Sequence, residues 1–206
     1  MGLRERKKEQ TRRTIEDAAF RLFAERGFQA TTVADIAAAA DIAPRTFFAY
    51  FPAKEDVVFC DFDASFASLA TALRDRAPGV TTFDALRSWI IALVASFDAG
   101  EDRHREVRER LVAESDALAS HESHLLDRFG GVIREAVAAD LGDEAGDLRP
   151  RMVAAAAIAA LKALAPPDHR DKKPLDDEGL AQLDEAFAFL HGGIAALQER
   201  RAATPR

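Results

Sequence analysis

Apolar residues recur three and four positions apart along almost the whole chain, and no stretch alternates in the manner of a strand. Ile15, Ala18, Ala19, Leu22 and Phe23 mark the apolar face of a first helix. Gly27 is placed to end that helix in a left-handed conformation, with Phe28 packing back onto a small core. Thr32 stands where a helix cap belongs, and Asp35 follows three residues later as in a capping box. Val33, Ile36, Ala37 and Ala40 then repeat on one face. Asp41 to Ala43 is too short for more than a turn. Pro44 suits the first position of a second helix, where its missing N–H would have no partner. Phe47 and Phe51 can bury together, which leaves Arg45, Thr46, Ala49 and Tyr50 facing outward over an expected helix at 44–50. Pro52 stops the pattern. Lys54-Glu55-Asp56 opens the next helix with its acids at the positive end.

That next helix is expected to run unbroken from Glu55 to about Arg74, with Val58, Phe59, Phe62, Phe66, Leu69 and Leu73 along one side. It would leave a small first domain and enter a second. Pro78-Gly79 ends it, and Thr81 with Asp84 repeats the capping-box pair. A helix follows to about Phe97, burying Phe83, Leu86, Trp89, Ile90, Leu93 and Phe97. Gly100-Glu101-Asp102 reads as a loop. Residues 103–119 are highly charged but keep Val107, Leu111 and Leu118. Further helices are expected at about 121–141, with Leu125, Phe129, Val132, Ile133 and Val137, and at 151–164, which is rich in alanine. Residues 165–178 are polar and carry prolines, as an exposed connection would. A last helix spans about 179–200. There Leu180, Leu183, Phe187, Leu190, Ile194 and Leu197 are spaced 3, 4, 3, 4, 3, a heptad seam that calls for a facing helix. The fold class is all-α, with about nine helices and no internal repeat.

Composition narrows the function classes. Hydrophobic residues make up 48% of 206 positions, which excludes a disordered chain. No apolar run reaches membrane-spanning length, and a cytoplasmic location without membrane attachment is expected. The single cysteine, Cys60, forbids an internal disulfide and a multi-cysteine metal site. The net charge of −7 argues against indiscriminate coating of nucleic acid. Residues 1–57 hold 10 Lys+Arg against 9 Asp+Glu, whereas the remainder holds 18 against 26. DNA contact would therefore be local and oriented. Arg4, Arg6, Lys7, Lys8, Arg12 and Arg13 form a basic start, either a solvated helix end or an arm for phosphates.

Two short helices with a buried seam and a polar outer face fit either a helix-turn-helix or two surface helices of an ordinary bundle. Three segments decide between them. LFAERGFQATTVADIA at 22–37, IAPRTFFAYF at 42–51 and PAKEDVV at 52–58 resemble, in order, the N-terminal domain of the tetracycline-repressor (TetR) family of transcriptional regulators. The resemblance implies a helix-turn-helix DNA-binding domain at 1–52 and a helical effector-binding and dimerisation domain at 53–206. It places the second helix in the major groove. Thr32, Thr46, Tyr50 and Lys54 would contact phosphates, and Arg45 would read a base. The family often has Ser at the position of Ala43, Tyr at that of Phe48 and a larger polar residue at that of Ala49. Phe48 and Ala49 would here offer only apolar contact, to thymine methyls.

The resemblance further implies a repressor that binds a palindromic operator as a homodimer, through its last two long helices, and is released by a small apolar or amphipathic effector. Leu180, Leu183, Phe187, Leu190, Ile194 and Leu197 are the candidate dimer residues. Phe62, Phe66, Trp89, Leu93, Leu111, Phe129 and Ile133 are the candidate effector-pocket residues. The run TFFAYFPAKEDVVFCDFD also resembles a subgroup that takes ligands like acyl-CoA. No cofactor and no enzymatic activity are expected: the chain has no phosphate-binding glycine loop, nucleophile elbow or dinucleotide fingerprint. A metal held by His121 and His124 is the enzymatic alternative, but the companion ligands of a bundle site are missing. A helical protein-interaction module is the other alternative.

Overall fold

The computed structural model of the chain describes residues 2–96, 99–164 and 177–203. Among the described residues ten α-helices follow one another: α1 (Leu3–Arg26), α2 (Val33–Ala39), α3 (Pro44–Phe47), α4 (Lys54–Val58), α5 (Phe62–Arg74), α6 (Thr82–Ala95), α7 (Ala99–Ala113), α8 (Asp116–Leu141), α9 (Leu148–Leu164) and α10 (Asp177–Ala203). Among the described residues there is no strand. No helix among them is long and apolar enough to cross a membrane. Phe97 and most of the 165–178 connection lie outside the described residues, as does the side chain of Leu197.

The chain divides into two compact units, Met1–Phe62 with Asp98–Ser123, and Asp63–Phe97 with His124–Arg206. The first is built on α1. Its buried face, Ile15, Ala18, Ala19, Phe20, Leu22 and Phe23, packs against α2, α4 and α7. Gly27 closes α1 at φ 80°, ψ 165°, a region that side chains with a Cβ avoid, and its N–H returns to the Phe23 carbonyl at 2.9 Å. Phe28 then packs on Phe23, with ring centres 5.3 Å apart. Each fully buried phenylalanine contributes roughly 1.5–3 kcal/mol, and Phe23, Phe47 and Phe51 supply three of them.

Two expectations fail here. The helix expected to run unbroken from Glu55 to Arg74 is interrupted at Phe59–Asp61. Phe59 stays buried with φ −115°, and the Cys60 and Phe62 N–H groups bond three residues back, to Val57 and Phe59. The Cys60 carbonyl, freed from the helical ladder, accepts from Arg12 at 2.9 Å. Second, Gly100-Glu101-Asp102 lies inside α7 and not in a loop. The break comes later, at Glu114-Ser115, where the Ser115 hydroxyl accepts the Leu118 N–H at 3.4 Å and opens α8 five residues before the expected start.

In the second unit α6, α9 and α10 pack with α5 and the C-terminal part of α8. Their shared core holds Leu69, Leu73, Phe83, Leu86, Ile133, Val137, Ala157, Leu183, Phe187 and Leu190. Thr81 caps α6 by accepting the Asp84 N–H at 3.2 Å. Asp140 of α8 accepts the Thr82 N–H at 2.7 Å and pairs with Arg76, which fixes the α5–α6 turn onto α8.

Candidate nucleic-acid interface

The head of the first unit is organised by the cap of α2. The Thr32 hydroxyl accepts the Asp35 N–H at 3.1 Å, while Asp35 accepts both the Thr32 N–H at 2.9 Å and its hydroxyl at 2.5 Å. The Thr32 hydroxyl, and after it the Thr32 backbone N–H, hold the Asp35 carboxyl below the usual carboxylate range. The far end of α2 closes with Asp41 at φ 54°. The Ile42 N–H returns to Ala37 at 2.9 Å and the Asp41 N–H to Ala38 at 3.3 Å, a Schellman closure carried by an aspartate instead of glycine.

Pro44 opens α3, and Phe47 and Phe51 enter the core with ring centres 5.8 Å apart. The helix is shorter than the expected 44–50. After Phe47 the Ala49 and Tyr50 N–H groups bond three residues back instead of four. This tighter turn brings Phe51 into the core directly before Pro52, whose ring disfavours a helical residue ahead of it. The outer face that results is sharply divided. Phe47 is 0% exposed, whereas the adjacent Phe48 is 56% exposed and stands edge-on to it. Arg45 and Ala49 are exposed, and Thr46 and Tyr50 are half-buried. Arg45 has no hydrogen bond or ion pair among the described residues. Thr32 is exposed at the cap.

Two cations expected to face outward are bonded to backbone carbonyls of the first unit. Lys54 is half-buried and donates to the carbonyls of Phe28 and Thr31 at 2.8 and 3.1 Å. Arg12 bonds Glu16 at 2.9 Å and the Cys60 carbonyl, and lies 4.8 Å from the centre of the Phe51 ring. Burial outweighs Arg12 and raises the Glu16 carboxyl; burial also raises the Cys60 thiol. Arg108 of α7 grips both oxygens of Asp61 at 2.8 and 2.9 Å. The spacing of Arg12 and Glu16 was visible in the sequence, but the target of Arg12's second donor was not. Arg4, Arg6, Lys7 and Lys8 remain exposed at the start of α1, and Arg13 pairs with Glu9 at 3.2 Å. His121, weighed as a metal ligand, stacks on Phe59 at 5.0 Å.

Residues 15–59 match the profile of bacterial regulatory proteins of the tetR family, and residues 80–195 match that of the MftR C-terminal domain. The chain belongs to the TetR family. It is a DNA-binding transcriptional regulator and not an enzyme. It is 34% identical over 150 residues to a Mycobacterium tuberculosis protein assigned as the mycofactocin biosynthesis transcriptional regulator MftR, covering 72% of this chain and 75% of the relative. It is 30% identical over 192 residues to the HTH-type transcriptional regulator TcmR of Streptomyces glaucescens, covering 90% and 83%. The structure resembles that of Thermus thermophilus FadR, a TetR-family repressor in complex with lauroyl-CoA. The TM-score is 0.52 at 25% identity, over 88% of this chain and 94% of that one.

In this TetR-family chain the seven candidate effector residues are divided between the two units. Phe62 and Leu111 belong to the first unit, and the other five to the second. Within the second unit Phe129 meets Phe66 at 5.7 Å and Trp89 at 6.3 Å, and the Trp89 ring N–H donates to Ser68 at 3.0 Å. Ile133 is buried and Leu93 half-buried. Two open clefts are present in this unit. One of about 730 Å³ is lined by Ala70, Leu73, Arg76, Thr81 and Asp140. The other, of about 600 Å³, is lined by Leu126, Gly130, Arg134, Met152 and Ile158. None of the seven candidates lines either.

Four residues of the dimer seam read from the sequence are turned inward. Leu183, Phe187, Leu190 and Ile194 are buried in their own unit, Phe187 against Phe83 at 6.0 Å, and Leu180 is half-buried. A heptad spacing specifies a facing helix but not whose, and here α6 and α9 of the same chain supply it. The outward side carries other residues. Phe189 of α10 is 74% exposed, and Leu148 and Met152 of α9 are 66% and 60% exposed.

Proposed function

We propose that the chain is a cytoplasmic repressor that binds a palindromic operator as a homodimer and leaves it when a small amphipathic effector binds. One observation carries this reading: α3 buries Phe47 while Arg45, with Phe48 and Ala49 of the turn that follows, is exposed. In the bound state Arg45 donates to O6 and N7 of a guanine, and Phe48 with Ala49 contacts thymine methyls. Thr32, Thr46, Tyr50 and the exposed cations at the start of α1 hold phosphates and set the register. A single short helix reads too few bases for a genomic site, so two heads on successive major-groove faces are required. We assign the second copy to the outward faces of α9 and α10, because Phe189, Leu148 and Met152 are large, apolar and uncovered there. They replace the inward seam as the interface set.

For the effector, the likeness to FadR in complex with lauroyl-CoA supports testing long-chain acyl thioesters first. The decisive experiment is selection of random duplex DNA by the full-length chain. An inverted repeat is the expected result, and lauroyl-CoA is expected to release it. Recovery of no sequence preference would overturn the operator reading. Unchanged DNA binding in saturating lauroyl-CoA would remove that effector class alone.

A further inference from the structure

We infer that Lys54 is a positioning residue of the DNA-reading head and not one of its phosphate contacts, an inference that rests on the DNA-binding function above. Its ammonium lies 2.8 Å from the Phe28 carbonyl, 3.1 Å from the Thr31 carbonyl and 4.1 Å from the centre of the Phe28 ring. These groups bound the turn between α1 and α2. Within it the Thr31 N–H donates to Phe28 at 3.3 Å, and the buried Thr31 hydroxyl donates to Gly27 at 2.8 Å. Thr31 immediately precedes Thr32, the residue that starts α2. The place where α2 begins fixes where α3 stands, because only Ala40 to Ala43 separate them.

The backbone that carries Lys54 is itself anchored. Asp56 accepts the Ala53 N–H at 2.7 Å, and Val57 and Val58 are buried. One side chain therefore ties α4 to the turn that presents the reading head. An ammonium has three protons. Two are committed to carbonyls, and a ring face takes up part of the charge. A phosphate would gain Lys54 only by taking its donor from the carbonyl of the buried Thr31 and leaving the Phe28 carbonyl with the Thr31 N–H alone. Arg45, exposed and without such bonds, faces no such competition.

Salt dependence separates the two roles. A lysine on a phosphate displaces counterions, so its removal flattens the plot of log affinity against log salt by about 0.9 per copy. A brace leaves that slope alone. The full-length chain, Lys54→Met and Lys54→Gln are titrated with the duplex recovered by selection, from about 50 to about 200 mM salt. Amide exchange is followed in the free proteins. Lys54→Met is expected to lose about tenfold in affinity with an unchanged slope, as a buried acceptor left without its donor would cause. Exchange at residues 31–36 should quicken about tenfold while α1 stays protected. Lys54→Gln, neutral but still a donor, should recover part of both losses. A slope lower by about 0.9 per copy in either variant, with exchange at 31–36 unchanged, would overturn the assignment. If selection returns no duplex, the DNA-binding reading fails by itself, and exchange in the free proteins still decides whether Lys54 holds the turn.

Discussion

Two helices of this chain each carry one phenylalanine turned inward and another, one or two residues on, turned out. In α3 and the turn after it, Phe47 is 0% exposed and Phe48 56%; in α10, Phe187 is 3% exposed and Phe189 74%. The inward members are explained by their own units. The outward members are not, since a fully buried phenylalanine is worth roughly 1.5–3 kcal/mol and these two forgo it. Their neighbours suggest different uses. Phe48 stands beside Arg45 and Ala49, a mixed face suited to base edges. Phe189 is flanked by Ala188 and followed by Gly192 and Gly193, a low-relief apolar face suited to another helix. The same residue type is a core member in one setting and, on the proposed reading, a DNA contact or a dimer anchor in another, according to what surrounds it.

The comparison can be broken most forcefully at the inward members. Phe47→Ala and Phe187→Ala should each lower stability by about 3–5 kcal/mol, measured by denaturant unfolding. The outward residue Phe189→Ser should change the unfolding of the dissociated monomer by no more than about 0.5 kcal/mol. It should nevertheless shift the dimer to monomer in sedimentation at micromolar concentration, a loss of about 2 kcal/mol or more if it is an interface anchor. A variant that stays dimeric would return the interface to other residues. Arg45→Ala should cost about 1–3 kcal/mol in operator affinity and relax selectivity at one position per half-site, read out by repeating the selection.

The smallest effect concerns the cap that presents α3. Thr32→Ala should destabilise the head by about 1 kcal/mol. Because the Asp35 carboxyl is held low in the folded state, its contribution is present above the ordinary carboxylate range and is lost as pH falls through its folded value. Glu16 acts in the opposite sense. Its raised carboxyl contributes at low pH, and that contribution is lost as pH rises through its folded value. Carbon-detected titration should show Asp35 moving up toward its ordinary value in Thr32→Ala while Glu16 is unmoved.

Much of this molecule was legible in the residues themselves. The Thr32–Asp35 and Thr81–Asp84 boxes, the glycine end of α1, Pro44 at the start of α3 and the burial of Phe47 with Phe51 all depend on neighbours three or four positions away. Chain geometry brings such neighbours together whatever else happens. The three family-bearing segments were equally legible, and with them the function. The face of a seam was not legible. Leu183, Phe187, Leu190 and Ile194 announce a partner helix, but a heptad pattern reads the same whether the partner is α6 of the same chain or a second copy. Nor could the break at Phe59–Asp61 be foreseen, because Arg12, 48 residues earlier, is what accommodates the Cys60 carbonyl.

What the sequence determined alone, then, was the helical content, the caps and the identity of the reading head, all products of short-range backbone bonding and local side-chain geometry. What only the tertiary structure decided was the destination of its long, charged side chains. In the sequence Lys54 is expected on a phosphate, Arg45 on a base and Arg12 in a basic start that is either solvated or a phosphate arm, and all three are expected outside. A flexible cation can reach solvent or a carbonyl with equal ease along its own helix. Which it finds depends on residues brought close by folding, and so Arg12 and Lys54 are bonded to backbone carbonyls of the first unit while Arg45 stays exposed.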